Sequence, residues 1–233
     1  MLRALLLFGF ALSLGGGSPP PRAAGRLPQD AYVWQRAWTP QVIEAITQRA
    51  TNFTALVALQ AEVTWKGGQP VVARVPMNFS VLRHTERKVG VALRIGTFAG
   101  PFEAADQRGR FVIQLAQSLV EEARTNQLVV AEFQIDFDCA ESKLEGYRVW
   151  VEAVRAAIKP VPLTITTLPS WLKNSSFQRL VSATDGYVLQ VHSLERPTDP
   201  EARFDICDPA AALKAVERAG QLGIADLRLC LRV

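Results

Sequence analysis

The chain alternates two hydrophobic patterns along most of its length. Short runs rich in Val, Ile, Leu and aromatic residues are typical of strands, whereas apolar residues at every third or fourth position are typical of amphipathic helices. The first pattern predicts strands over 31–35, 55–65, 71–75, 89–95, 132–139, 163–167, 187–192 and 226–233. The second pattern predicts helices over 40–50, 111–125, 147–158, 171–181 and 209–221.

This alternation of strands and helices predicts βα units and a parallel sheet. Because the connections between parallel strands are right-handed, two architectures remain possible, a barrel and a doubly wound sheet. No glycine-rich phosphate fingerprint follows a strand, which favours a TIM-like (β/α) barrel. Seven of the predicted strands are of the parallel type, whereas a closed barrel of this kind needs eight. We therefore expect an incomplete barrel, with the eighth strand missing at the C-terminus of a truncated chain that is marginally stable and weakly active.

The predicted strand over 132–139 carries an acidic pair at its end. Side chains alternate faces along a strand, so Gln134, Asp136 and Asp138 share one face, while apolar residues form the other. Sites in such barrels lie where the strands end. The two carboxylates are close enough to divide into an acid and a base, or to bind a polar ligand. Alternatively, one Asp caps the following helix and the other forms a hydrogen bond inside the barrel.

Other predicted strands end in polar or aromatic residues, which we expect to converge on the same volume. Each has a purely structural alternative: a lone His in a strand is commonly a satisfied hydrogen-bonding group, and a Trp is commonly part of the core. The residues are Trp34, Arg94, Thr166, Gln190 and His192.

The first residues have the pattern of a secretory signal peptide. Arg3 precedes an apolar run over 4–14 that is too short to span a bilayer, and small residues follow at 23–24. We expect residues 1–24 to be removed during export to the periplasm or beyond, and residues 25–233 to form one domain. Loss of Arg3 and Arg22 lowers the formal charge from +4 to +2. The basic residues are scattered, so we expect no nucleic-acid partner, and no membrane insertion once the signal is removed.

The three cysteines are an odd number for an exported chain. Cys139 and Cys207 are candidates for one disulfide, which would leave Cys230 free. No spacing of cysteines or histidines is typical of a metal site, so we expect neither a metal nor another cofactor.

Several segments resemble a bacterial family of unknown function, the one numbered 3142. The resemblance extends from about 32 to about 219 and implies an exported TIM barrel similar to glycoside hydrolases, without an assigned activity. The segments that carry it are Gln-Ile-Asp-Phe-Asp-Cys at 134–139, Ser-Lys-Leu at 142–144 with Tyr147, Leu-Pro-Ser-Trp-Leu at 168–172, and the run over 185–197.

Asp136 and Asp138 also look like the first part of the Asp-x-Asp-x-Glu motif of chitinase-like hydrolases of glycoside hydrolase family eighteen. Here the position of the general-acid Glu holds Ala140, and Glu141 lies one step further. Our own interpretation of these residues is a carbohydrate-active barrel that acts on a polysaccharide of the cell envelope or of the extracellular space. The alternatives are a barrel that binds a glycan or a protein without catalysis, and an inactive chain.

Within that hypothesis, Asp138 is the candidate acid and Asp136 supports it. Substrate contacts are expected from the polar residues at the strand ends and from two aromatic platforms. Glu195, on the loop after His192, is the candidate second carboxylate. The expected substrate-binding residues are Trp34, Arg94, Thr166, Trp171, Gln190, His192 and Glu195.

Overall fold

The computed structural model describes residues 28–192, 207–223 and 227–230, which form eight strands and six α-helices. The strands are β1 (Asp30–Val33), β2 (Ala55–Lys66), β3 (Gln69–Arg74), β4 (Lys88–Ile95), β5 (Val130–Phe137), β6 (Leu163–Thr167), β7 (Gly186–Gln190) and β8 (Leu227–Cys230). The helices are α1 (Pro40–Arg49), α2 (Phe79–His84), α3 (Gln107–Thr125), α4 (Leu144–Ala157), α5 (Ser175–Ser182) and α6 (Pro209–Gln221).

Seven of the strands form a parallel sheet in the order β1-β2-β4-β5-β6-β7-β8, which confirms the prediction of seven parallel strands. The remaining strand, β3, is the antiparallel return of a hairpin, as the Gly67-Gly68 turn predicts. Strands β1 and β3 share one edge of β2: β1 pairs with residues 55–58 and β3 with residues 61–66. The long β2 therefore supports both the start of the barrel and a hairpin at its carboxyl end.

The sheet curls far enough to bring its two ends together. On the last strand, Arg228 Nη1 lies 3.7 Å from Asp30 Oδ2 on the first strand. The same guanidinium pairs with Glu132 on β5 across the interior of the barrel. Hydrogen-bonded pairing between β1 and β8 is absent from the residues that the structure describes. The architecture is the TIM-like, incomplete barrel that the sequence predicts.

The outer face of the sheet packs against the helices and forms the core. Phe137 on β5 makes an edge-to-face contact with Tyr147 on α4, and Tyr187 on β7 does the same with Phe177 on α5. All four side chains are almost completely buried. The inner face carries the polar residues of β5, as the alternation in the sequence indicates, in register with small residues such as Ala92 on β4.

Two helices begin where their capping residues predict. Thr39 and Asp208 each precede a proline at the first helical position, and both side chains accept a hydrogen bond from the first turn. Helix α3 begins at Gln107, four residues before the predicted start at 111, because the Asp106 side chain caps it and accepts a hydrogen bond from the Gly109 amide. Among the described residues, no helix combines the length and the hydropathy that crossing a bilayer requires.

Two further details of the helical layer differ from the prediction made from the sequence. The single helix expected over 171–181 is a 3₁₀ turn (Pro169–Lys173) followed by α5, because Asn174 leaves the helical conformation and its side chain caps the second segment. Helix α2 was not predicted, since six residues are too few to display a period. Its start is capped by the Asn78 side chain, which accepts from Val81.

We expect Gly109→Ala to destabilise the protein although it improves the helix propensity of α3 by about 1 kcal/mol. A Cβ at Gly109 would lie 1.9 Å from the Glu103 carbonyl oxygen, a backbone atom that cannot move aside easily. Relieving this clash should lower the free energy of unfolding by about 1–3 kcal/mol in urea denaturation.

The matched control is Gly220→Ala near the end of α6, where an added Cβ meets nothing within 4 Å. This change should leave the stability unchanged or raise it by up to about 1 kcal/mol. Equal effects of the two substitutions would contradict the role of close packing at Gly109.

Candidate functional site

Charged side chains form a row across three neighbouring strands near the carboxyl end of the barrel. Glu62 on β2 is in register with Arg94 on β4, and Arg94 is in register with Asp136 on β5. Arg94 Nε lies 3.7 Å from Asp136 Oδ2, and Thr166 on β6 donates a 2.8 Å hydrogen bond to Asp136 Oδ1. Each of these side chains comes from a different strand, so the row exists only once the sheet has formed.

The two aspartates of the predicted pair have different surroundings. Asp136 is 16% exposed and is held by Arg94 on one side and by Thr166 on the other. Asp138 lies one residue beyond the end of β5 and is exposed. Its carboxylate has no hydrogen bond or ion pair among the described residues. Asp136 is therefore a restrained, interior carboxylate, whereas Asp138 is open to a ligand from the solvent.

Two buried groups lie against the back of the acidic strand. Burial raises the pKa of the Tyr147 hydroxyl well above its usual value, and the charges of Cys139, Asp136 and Asp138 act in the same direction. Burial likewise raises the pKa of the Cys139 thiol to about 12, although Lys143 opposes this shift. Both groups therefore stay neutral at physiological pH and do not compete with the aspartates for protons.

Two amides face the interior near the row. The Gln134 side chain is completely buried, and neither its nitrogen nor its oxygen has a partner in the described part of the chain. Gln190 on β7 is partly buried, and its Nε2 is also without a partner there. An unpaired amide costs free energy, so the partly exposed Gln190 can gain a hydrogen bond from a polar atom that enters the site, whereas Gln134 is closed off from a ligand in this structure.

The structure brings together some of the predicted substrate-binding residues and separates others. Arg94, Thr166 and Gln190 lie on consecutive strands around Asp136, as expected. Thr166 is 4% exposed and hydrogen-bonded to Asp136, so it positions that carboxylate rather than facing the solvent. His192 is partly buried and lies two residues beyond the end of β7. Glu195 and the predicted signal segment fall outside the described residues.

The two expected aromatic platforms have different environments. Trp34 is partly exposed after β1 and makes an edge-to-face contact with Tyr32 at 5.2 Å. Trp171 is 1% exposed and lies in the core, because the 3₁₀ turn after β6 folds its indole inward. A side chain with no open face cannot stack on a sugar ring, so Trp171 does not fit the platform role that the sequence gave it.

Glu62 is the site residue that the sequence interpretation missed. Strict alternation along β2 from Leu59 directs Glu62 towards the helices, but the register shifts between Leu59 and Ala61. That irregularity turns Glu62 to the inner face, where its side chain is 11% exposed and pairs with Arg36. A β-bulge has no reliable sequence signal of its own, so the available hint was a Glu inside an otherwise apolar strand.

The described residues contain no group of three or more His, Cys, Asp and Glu side chains suited to a metal ion. Cys139 and Cys207, the candidates for a disulfide, are both free thiols in this structure. Cys139 is buried, while Cys207 donates a 3.1 Å hydrogen bond to the Val191 carbonyl oxygen. The site thus presents carboxylates, the guanidinium groups of Arg94 and Arg36, amides and the Thr166 hydroxyl.

The part of the chain that matches a family model includes β5 and the elements that follow it. The model of a domain of unknown function, DUF3142, matches residues 93–232, which is more than half of the chain. The chain belongs to the DUF3142 family. The match starts later than residue 32 and runs beyond residue 219, so the DUF3142 resemblance does not fade where the sequence interpretation placed its end.

Solved structures with a similar fold include several glycoside hydrolases. The spore cortex-lytic enzyme SleL of Bacillus megaterium QM B1551 is 17% identical with a TM-score of 0.64, over 91% of this chain and 52% of that one. The GH18 chitinase ChiB of Flavobacterium johnsoniae is 14% identical with a TM-score of 0.61, over 89% of this chain and 68% of that one. The DUF3142 chain therefore shares the barrel fold of these proteins and spans about half the length of SleL.

The same fold also occurs in a protein named as an inhibitor. The xylanase and α-amylase inhibitor protein XAIP-II of Scadoxus multiflorus is 15% identical with a TM-score of 0.53, over 86% of the DUF3142 chain and 78% of its own. Among proteins with curated descriptions, none matches the sequence. At these identities the likeness establishes the fold alone, and the function has to be argued from the site.

Proposed function

We propose that the carboxyl-end cluster binds a carbohydrate chain and hydrolyses it, with Asp138 as the proton-donating carboxylate. The observation that carries this proposal is the row of Glu62, Arg94 and Asp136 at the carboxyl ends of the strands, with the exposed Asp138 one residue beyond the end of β5. Carboxylates and amides that alternate with a guanidinium match the alternating donors and acceptors of sugar hydroxyls. Cleavage needs in addition a carboxyl group that can reach the glycosidic oxygen, and Asp138 is the accessible one.

Within this proposal the two aspartates have separate tasks. Arg94 and Thr166 restrain Asp136, which orients it to accept hydrogen bonds from the substrate. Gln190 on β7 and His192, two residues beyond that strand, hold further hydroxyl groups, and Trp34 offers an apolar face to a sugar ring. The predicted signal segment directs the chain to polysaccharides of the cell envelope or of the extracellular space, since export brings the barrel to them.

The second candidate is a barrel that binds a glycan or a protein without cleaving it. Two observations favour this alternative: Ala140 occupies the position of the general-acid Glu in the chitinase-like motif, and the similar fold of XAIP-II belongs to a protein named as an inhibitor. Binding requires the same row of polar side chains but no proton transfer. The two candidates therefore differ in turnover rather than in affinity.

The test is a panel of envelope and extracellular polysaccharides, with new reducing ends and the shift in thermal unfolding measured on the same samples. For at least one polysaccharide we expect both product release and a raised unfolding temperature, since a ligand that binds the folded state stabilises it. A raised unfolding temperature without product would favour the binding module. Neither response to any polysaccharide would contradict both hydrolysis and glycan binding, and would leave a protein as the ligand of the binding module.

A further inference from the structure

We propose that Glu62 is the second carboxylate of this site and acts as the base that activates water in an inverting hydrolysis. This inference rests on the proposed function and assigns a role to a residue that neither the sequence interpretation nor the chitinase-like motif includes. The geometry of β2, the position of Glu62 in the row and its single ion pair support the assignment.

The bulge in β2 is the first observation. Gln60 and Ala61 both face the helical layer: Gln60 Nε2 donates a 3.0 Å hydrogen bond to the Leu119 carbonyl oxygen of α3, and Ala61 is completely buried. Two consecutive outward residues shift the alternation by one, so the next residue, Glu62, points into the barrel. Bulges of this kind are over-represented beside active sites, where they redirect one side chain.

The surroundings of Glu62 are the second observation. Its carboxylate is 11% exposed, and its one partner among the described residues is Arg36, whose side chain is 71% exposed on the loop after β1. An ion pair with so exposed a partner contributes little to stability, because solvent screens it and the arginine loses conformational freedom. The small contribution of this ion pair to stability therefore does not explain why β2 contains a bulge that turns a carboxylate into the interior.

The third observation is the spacing of the carboxylates. Parallel strands lie about 4.8 Å apart, so Glu62 and Asp136, on either side of Arg94, are roughly 10 Å apart at the backbone. Asp138, the proposed acid, lies two residues beyond Asp136, so by strand spacing and rise its backbone is roughly 12 Å from that of Glu62. Retaining hydrolysis needs carboxyl groups about 5 Å apart, whereas inverting hydrolysis needs about 6.5–9.5 Å to admit a water molecule. A glutamate and an aspartate side chain that reach towards each other shorten this backbone gap by a few ångströms, so the two carboxyl groups can take the wider spacing of inversion.

The reaction balances with these two groups and one water. Water attacks the anomeric carbon and gives a proton to Glu62, while the bond between that carbon and the glycosidic oxygen breaks. The proton of Asp138 passes to the departing oxygen, so the products are a new reducing end of inverted configuration and a free hydroxyl. Proton return from Glu62 to Asp138 through solvent restores the site.

The test uses the full chain and a polysaccharide that the unmodified protein cleaves. Glu62→Gln keeps the shape and should lower kcat at least about 100-fold, the lower range for loss of a general base. Added azide should restore part of the rate and give a glycosyl azide, because azide needs no base. The first product of the unmodified protein, observed by NMR before mutarotation, should have the inverted configuration.

Two variants separate this role from a structural one. Arg36→Gln removes the ion pair but keeps the carboxylate, so it should lower kcat much less than Glu62→Gln. Glu145→Gln removes an ion-paired carboxylate on the outer surface of α4, where Glu145 pairs with Arg179 at 3.0 Å, and should leave kcat unchanged. Equal losses for Arg36→Gln and Glu62→Gln, without azide rescue, would show that Glu62 only anchors the loop.

Failure of this inference differs from failure of the proposed function. Cleavage by the unmodified protein together with retained configuration, or with a Glu62→Gln variant of nearly full kcat, overturns the role of Glu62 and leaves hydrolysis standing. Absence of cleavage on every polysaccharide overturns the proposed hydrolysis, and the role of Glu62 as its base falls with it.

Discussion

Asp138→Asn should lower the rate of polysaccharide cleavage by a factor of about 10²–10⁴, the range for loss of a positioned general acid. The amide has nearly the shape of the carboxyl group but cannot donate its proton to the glycosidic oxygen. Asp138 is exposed and has no hydrogen bond or ion pair among the described residues, so thermal unfolding should remain unchanged. Product release and the unfolding temperature are measured on the same preparation.

Asp136→Asn is the matched comparison on the same strand. This change removes the negative charge that faces Arg94 and weakens the acceptor of the Thr166 hydroxyl, so it should lower the unfolding temperature as well as activity. A binding module would respond differently, because Asp138→Asn would then retain most of the affinity. An Asp138→Asn variant with full cleavage would contradict the assignment of the acid.

Glu132→Gln should lower the free energy of unfolding by about 2–4 kcal/mol, somewhat less than the loss for a fully buried ion pair. Glu132 is 14% exposed inside the barrel, where it pairs with Arg228 and accepts a 2.9 Å hydrogen bond from Thr164. Burial lowers the pKa of Arg228, but the hydrogen bond and the charge of Glu132 raise it. The net shift of this pKa is upward, so the guanidinium stays charged. Loss of Glu132 leaves that interior charge without its main counter-ion.

The measurement is urea denaturation, supported by thermal unfolding, in which 1 kcal/mol corresponds to about 2–4 °C for a domain of this size. Glu121→Gln is the control, since the pair between Glu121 and Arg124 lies on the surface of α3 and should not affect stability measurably. The double change of Glu132→Leu with Arg228→Met should recover much of the loss, because the interior then holds no unpaired charge, and Asp30, the other partner of Arg228, is exposed to solvent. A Glu132→Gln variant as stable as the control would show that the interior pair contributes nothing.

Space for the ion pair between Glu132 and Arg228 depends on a small residue in the neighbouring strand β4. A Cβ at Gly90 would lie 2.8 Å from Glu132 Cγ and 3.3 Å from Val57 Cγ2, so a side chain there would displace the glutamate. The interior of the barrel thus combines a glycine on β4 with a long side chain on β5. Large and small residues on neighbouring strands fill such a barrel without voids.

Local patterns in the sequence were sufficient for most of the architecture. Apolar runs, helical periods and caps such as Thr39 and Asp208 predicted all seven parallel strands, the hairpin and most of the helices. These signals are local because alternation and capping involve residues a few positions apart. The side shared by Gln134 and Asp136, and the convergence of Arg94 and Thr166 on that side, followed from the same alternation.

Tertiary structure alone decided how those residues are paired and which of them are accessible. The sequence placed Asp136 beside Asp138 as a like-charge pair, whereas the register of β4 and β6 adds Arg94 and Thr166 to Asp136. Trp171 looked like an open platform, but the turn after β6 buries it. Such contacts depend on strand order, which local alternation does not contain.

The sequence by itself determined the strand and helix segments, the polar lining of β5 and its acidic end, because each depends on neighbouring residues. The inward turn of Glu62 and the pair between Arg228 and Glu132, which joins residues 96 positions apart, arise only in the folded barrel. A bulge shifts every later side chain of β2 by one face, and an ion pair across the interior requires the sheet to curl. Both are therefore properties of the assembled sheet.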